Sequence, residues 1–258
     1  MPTALLLALA LSGVAASAHG AVASAHPLAS EVGASVLRGG GNAVDAAVAT
    51  AFALGVVENN KSGVGGGGFA IVYVARERKV HVLDFREVAP LAATRDLFVR
   101  DGRPQPRLAR EGALSVAVPG AMKGYAELAR RFGTRPLPAL VEPAARLAEG
   151  GFTLGLKQFE DATVRLECLR GDAAAAREFL APGPSGELDP RAPGDRLVRR
   201  DLARTLRLLG KEPDAFYRGP LARRIAAAVR ARGGILSEED LARYRVRERE
   251  PLRGSYRG

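Results

Sequence analysis

The sequence has a single cysteine, Cys168, in 258 residues. That excludes an internal disulfide framework and an all-cysteine zinc site. Three histidines, two of them near the N-terminus, leave little for a histidine-based metal centre. Tryptophan is absent, tyrosine and phenylalanine are scattered, and no Arg/Gly repeat or internal repeat occurs. Nothing matches G-x-S-x-G, H-E-x-x-H or a phosphate-binding lysine loop. Lysine is scarce: of 38 basic residues only five are lysine, so the net charge of +10 is carried by arginine. What is present is ordinary for a folded chain, with 47% hydrophobic and 26% charged residues and a length that can bury a sizeable core.

The charge is unevenly placed. Residues 199–258 carry 16 basic and 8 acidic groups, a net of +8, which leaves +2 for the rest. A basic quarter can mark a nucleic-acid face. Without aromatic interleaving it reads better as amphipathic helices with arginine on the solvated side, and no nucleic-acid partner is expected. At the other end, Met1–Ala18 has the outline of an export signal. Ala4–Leu11 is an apolar run, Gly13 breaks it, and Ala16-Ser17-Ala18 offers small residues for cleavage, although no basic residue precedes the run. The run is too short to span a bilayer and no later stretch is a membrane candidate.

Pro27 opens a helix to about Leu37, which Gly39-Gly40-Gly41 stops. Asn42 with Asp45 predicts a capping-box start for a second helix, 43–57, which is apolar on nearly every side and should be enclosed by other elements. A glycine run, Ser62–Gly68, leads into a β-branched and aromatic strand at 69–74; a polar turn and a second strand at 80–85 complete an antiparallel hairpin. From about residue 94 onward the pattern is helical. Pro119-Gly120 opens a helix through Phe132, and Pro138 lies near the start of another ending at Gly150-Gly151. Residues 155–179 look helical and Ala181–Pro193 is a surface loop. Helices are then expected at 199–209, 213–217 and 219–232, with a short one capped by Ser237 and Asp240. A last strand within 246–256 is weakened by Pro251 and Gly254. The class is α+β, mostly helical, with one hairpin near 69–85.

Gly63, Gly65 and Gly68 meet the G-x-G-x-x-G spacing, but a helix precedes them and a strand follows, the reverse of a dinucleotide site. Consecutive glycines here more plausibly admit the close approach of another backbone or of a ligand. At the hairpin's exit stands Asp84-Phe85-Arg86-Glu87. With Val80, Val82 and Asp84 on one face and His81, Leu83 and Phe85 on the other, Arg86 is placed to grip a carboxylate with two parallel hydrogen bonds. An ion pair of Arg86 with Glu87 or Asp84 is the equal alternative. His26 before Pro27 reads as a packed or capping residue, and Cys168 as a small buried hydrophobe.

Taken together, these segments resemble the γ-glutamyltranspeptidases (γ-glutamyltransferases) of the N-terminal-nucleophile hydrolase superfamily. The likeness is carried by residues 21–30 (AVASAHPLAS), 40–49 (GGNAVDAAVA), 62–69 (SGVGGGGF) and 84–90 (DFREVAP). Residues 112–120 (GALSVAVPG), 214–219 (DAFYRG) and 233–241 (GGILSEEDL) extend it in the same order. The resemblance implies an exported, periplasmic or secreted precursor that cuts itself into a large and a small subunit forming one αββα enzyme. It implies a threonine nucleophile at the new N-terminus, activated by its own amine, with glutathione and related γ-glutamyl compounds as substrates and no metal or cofactor. Arg86 falls on the arginine that holds the γ-glutamyl α-carboxylate. None of the threonines falls on the cleavage motif, so residues 19–258 are expected to be the N-terminal part of the large subunit, with no catalytic residue and no turnover alone. On that reading the hairpin and helix 43–57 pack against strands from elsewhere in the precursor. Related acylases, acting on β-lactam side chains or poly-γ-glutamate, share this front half, and a non-catalytic basic binding module is the alternative from outside enzymes.

Overall fold

The structure, a computed structural model, describes residues 14–17 and 20–258. The rest of the expected export signal lies outside the described residues. Val14–Ser17 (β1) pairs antiparallel with Gly20–Ala23 (β2). Pro27–Arg38 (α1) begins where His26 Nδ1 accepts a hydrogen bond from the Leu28 amide at 3.2 Å, so His26 is the capping residue its position before Pro27 predicts. Its ring also packs edge-on against Phe152. Ala43–Val57 (α2) has the expected capping box, Asn42 with Asp45.

Helix α2 is the axis of the core. Ala46, Val48, Ala49, Phe52, Ala53, Val56 and Val57 are all buried. The cover comes from this chain itself, which corrects the expectation that α2 waits for strands elsewhere. Helix α1 packs closely on one side, because Gly33 has no Cβ to meet Ala46 O and Thr50 Oγ1. On the others lie Ala121–Phe132 (α3) and Leu137–Gly150 (α4). Asp45 ties these elements together: fully buried, it accepts from Asn42 N (2.9 Å), Thr134 N (2.9 Å), Thr134 Oγ1 (2.6 Å) and Arg135 N (3.1 Å). Burial alone would raise its carboxyl pKa; the four donors outweigh it and hold it below the ordinary value.

Phe69–Val74 (β3), a 3₁₀ turn at Ala75–Glu77 and Lys79–Asp84 (β4) form the expected hairpin, in register Phe69↔Asp84 to Val74↔Lys79. Residues 86–112 depart from the reading of helix from 94 onward. Turns fill this segment, with a small pair Val99–Arg100 (β5) and Arg103–Pro104 (β6). Asp101-Gly102, both at positive φ (50° and 70°), makes its turn, and the first α-helix after the hairpin is α3. An Asp-Gly turn and Pro90, Pro104 and Pro106 outweigh the apolar spacing there.

Beyond α4, Phe152–Thr153 (β7) leads to Leu156–Val164 (α5), Leu166–Arg170 (α6) and Ala173–Phe179 (α7), three short helices where a single stretch is expected. Cys168 on α6 is exposed, not buried. Leu180–Pro182 (β8) pairs with Leu188–Pro190 (β9) in the expected loop, and Arg196–Leu197 (β10) pairs with β7. Arg200–Lys211 (α8) packs on α4, where Arg207 holds both Glu142 and Glu149 at 2.8–3.1 Å. A 3₁₀ turn at Pro213–Phe216, then Pro220–Arg230 (α9) and Glu238–Arg243 (α10) follow, α10 carrying the expected Ser237–Asp240 cap. Arg247–Arg249 (β11) ends before Pro251 and pairs with β4, so the hairpin is the main part of a three-stranded antiparallel sheet, β11-β4-β3. The class is α+β. Among the described residues no helix is long and apolar enough to cross a membrane.

Candidate functional site

The face assignment made from the strand period holds. His81, Leu83 and Phe85 are buried, and the other face of the sheet looks outward. Phe85 is the anchor of the strand's exit. Its ring lies against Gly124 of α3 and Gly68, where no Cβ intervenes, and meets Tyr125 edge-on at 5.9 Å. The glycine run makes that seat possible. Gly68 and Phe85 exchange backbone hydrogen bonds (3.2 and 2.9 Å), and a Cβ on Gly67 would stand 2.6 Å from Phe85 O and 2.8 Å from Glu87 N. Gly66 O accepts from Gly120 N and Ala121 N, both at 2.9 Å, at the start of α3. The glycines therefore admit a neighbouring backbone, as expected, and wedge the strand's exit between themselves and α3.

Arg86 follows directly. Its backbone is held at both ends: Asp84 Oδ1 accepts from Arg86 N at 3.0 Å, and Tyr244 Oη donates to Arg86 O at 2.8 Å. Its side chain is 59% exposed, with Nη1 3.1 Å from Glu87 Oε2. That contact lacks hydrogen-bond alignment, so Glu87 Oε2, buried, has a charge partner and no donor. The ion-pair alternative is thus realised with Glu87 and not with Asp84. Asp84 Oδ2 instead takes Arg249 Nε (3.0 Å) and Nη2 (2.8 Å) from β11. Desolvation pushes the Asp84 carboxyl up, but the Arg86 amide and the Arg249 guanidinium more than offset it and keep it below the usual range. Burial, then the charges of Asp84 and Glu87, push the Tyr244 hydroxyl up to about 12, so it remains a donor at any physiological pH. Tyr244 stacks on Tyr217, centroids 5.8 Å apart, and Tyr217 Oη accepts from Lys123 N.

Asp84, Arg86, Glu87, Tyr244 and Arg249 line a cleft of about 170 Å³ that also takes in Arg245 and Arg247. A half-exposed guanidinium on a backbone fixed by two hydrogen bonds, in a cleft with excess positive charge, is equipped to bind a carboxylate. Tyr244, Arg249 and Arg247 are neighbours of Arg86 in this cleft that sequence reasoning does not place there. The one signal for them is the Arg-Glu-Arg alternation at 247–249, which marks a strand but not its partner. His26 caps α1 and Cys168 is on α6, so neither belongs to the cleft. Four threonines are committed elsewhere: Thr134 to Asp45, and Thr50, Thr163 and Thr205 to carbonyls four residues back.

Residues 29–258 match a family model described as gamma-glutamyltranspeptidase. The glutathione hydrolase proenzyme of Bacillus subtilis (strain 168) is 43% identical over 242 residues, covering 93% of this chain and 40% of that protein. The acylase ACY 1 proenzyme of Pseudomonas sp. (strain SE83) is 42% identical over 254 residues, covering 95% and 44%. The crystal structure of Helicobacter pylori gamma-glutamyltranspeptidase superposes with a TM-score of 0.88 at 40% identity, covering 95% of this chain and 69% of that one. The chain spans about 40% of the length of such curated relatives.

Proposed function

This chain belongs to the γ-glutamyltranspeptidase family, and from that premise we propose that it is the N-terminal part of the large subunit of a γ-glutamyl acyltransferase and hydrolase, in which Arg86 binds the α-carboxylate of the γ-glutamyl group. The observation that carries this is the fixed, half-exposed guanidinium of Arg86 at the hairpin's exit. Glutathione and related γ-glutamyl compounds are the substrates. Arg86 orients the γ-carbonyl by holding the far end of the glutamyl group, so that binding energy remote from the reacting bond is used for alignment. The threonine nucleophile, its activating amine and the oxyanion donors come from the small subunit of the same precursor, and no metal or cofactor takes part. The outward face of the β11-β4-β3 sheet is the layer on which the second sheet of an αββα sandwich packs. Residues 1–18 direct export to the periplasm or the medium.

The test is chromophore release from a γ-glutamyl anilide. Purified chain gives none, and co-expression with the downstream remainder of the precursor restores it; activity of the chain alone defeats the proposal. In the assembled enzyme Arg86→Ala lowers kcat/KM by the equivalent of about 2–4 kcal/mol, the scale of a charge-assisted contact withdrawn from water. An unchanged kcat/KM defeats the role of Arg86. An acylase acting on another anionic acyl group is the second reading, favoured by the similarity to the ACY 1 proenzyme. Faster turnover of a β-lactam side-chain amide than of the γ-glutamyl anilide would select it.

A further inference from the structure

We propose that Arg247 is a specificity-determining residue of the same cleft: it gives a second anion-binding point beside Arg86, and the favoured ligand carries a second carboxylate in addition to the one on Arg86. This rests on the reading of Arg86 given above and goes beyond it, since a single α-carboxylate needs only one guanidinium.

The argument is one of charge and mounting. Four arginines and two carboxylates line the cleft, a net of +2. The two carboxylates are already matched, Asp84 by two N–H groups of Arg249 and Glu87 by Arg86. Two cations are left over, and their situations differ. Arg245 is clamped, its Nη1 donating to Ala242 O (2.9 Å) and Tyr244 O (2.8 Å). The Arg247 side chain is exposed and, among the described residues, makes no hydrogen bond and no ion pair. It is also not on a loose loop. Strand β11 pairs it directly with Asp84, two residues before Arg86 on the same continuous backbone. Its charge is felt across the cleft, lowering the Asp84 carboxyl and opposing the rise at the Tyr244 hydroxyl.

A monoanion on Arg86 leaves this cleft with one uncompensated positive charge, whereas a dianion neutralises it. The strand fixes the backbone beneath Arg247, and a planar guanidinium fork loses less freedom per hydrogen bond formed to a carboxylate than a lysine would. The bland reading is that Arg247 is a solvated arginine on an edge strand, and it predicts no discrimination between anions. The ligand class selected here is a γ-glutamyl compound whose amine portion ends in a carboxylate, over one whose amine portion is neutral.

Two probes separate these readings, γ-glutamylglycine and γ-glutamylglycinamide, which differ only in that second carboxylate. Their affinities for the 258-residue chain are measured by calorimetric or NMR titration at low salt. The wild-type chain binds γ-glutamylglycine about tenfold more tightly, a ratio that falls as salt screens the pair. Arg247→Gln brings the ratio close to one, and Arg247→Lys, which keeps the charge but not the fork, restores part of it. Circular dichroism and the urea midpoint establish that each variant is folded. Equal wild-type affinities, a ratio that survives Arg247→Gln, or no binding of either probe at millimolar concentration overturns the proposal. Arg86→Gln weakens both probes; if it weakens neither while the ratio still depends on Arg247, the reading of Arg86 fails and that of Arg247 stands.

Discussion

Helix α2 and strand β3 are both strongly apolar, and the structure treats them differently. Helix α2 is enclosed on every side that carries bulk, by α1, α3 and α4. The sheet buries only its inner face; outside, Phe69, Ile71 and Tyr73 are 61%, 75% and 63% exposed. A helix needs neighbours along a cylinder, and three other helices of the same chain supply them. A sheet has two flat faces, and the described residues supply a layer for one. The contrast shows where stability and function divide. The helical layer fixes Phe85, the glycines and Tyr244 from behind, while the open side carries Arg86 and its cleft. Exposed apolar residues on a well-ordered sheet mark a surface made to be covered, as the proposed sandwich requires.

The contrast can be broken most forcefully from the helical side. Asp45→Ala removes the reciprocal half of the α2 capping box, the acceptor for Asn42 N, and leaves three donors of Thr134 and Arg135 without an acceptor, so unfolding by urea should show a loss of about 3–4 kcal/mol. The same carboxylate gives the chain acid sensitivity. Its folded value lies below the ordinary 3.8, so its contribution is complete above that pH and is lost as pH falls through the lower, folded value. A pH series of urea midpoints should show this loss in the wild type and not in Asp45→Ala. A loss below about 1 kcal/mol would mean that α2 is not the keystone.

Tyr244→Phe probes the junction of the two regions. It deletes one buried hydrogen bond to Arg86 O, and a decrease of about 1 kcal/mol is expected. In the assembled enzyme it should raise KM more than it lowers kcat, as befits a residue that positions Arg86 without touching the reacting atoms; an equal fall in kcat would argue otherwise. The smallest effect belongs to the open face. Ile71→Ser in this chain should shift the urea midpoint by the equivalent of no more than about 0.5 kcal/mol, since Ile71 is left exposed by the described residues. A large loss would show that the outer face is covered in solution by something the isolated chain already contains or recruits.

Much of the helical scaffold is legible in the sequence because its signals are local. Pro27, the Asn42–Asp45 and Ser237–Asp240 boxes and the glycines after α1, α3 and α4 act within one turn, and the observed ends fall within a residue or two of the expected ones. The alternation in β4 is equally local and gives its faces correctly. Reading fails where weak helical spacing competes with turn chemistry, as at Asp101-Gly102, and where exposure depends on what lies opposite, as at Cys168.

The site divides in the same way. That the strand ends in Asp-Phe-Arg-Glu, with glycines free to approach it, is written in residues 62–87, and the family resemblance attaches the substrate carboxylate to Arg86. Which carboxylate would meet Arg86, that Asp84 belongs to Arg249, and that Tyr244 holds the Arg86 carbonyl are matters of tertiary structure. Arg249 and Tyr244 stand 165 and 158 residues from their partners in the chain, where no periodicity or spacing rule reaches. Caps, turns and strand faces follow from forces acting over a few residues and so are determined by sequence alone. The composition of the cleft, including the unpaired Arg247, was decided only when β11 came to lie beside β4.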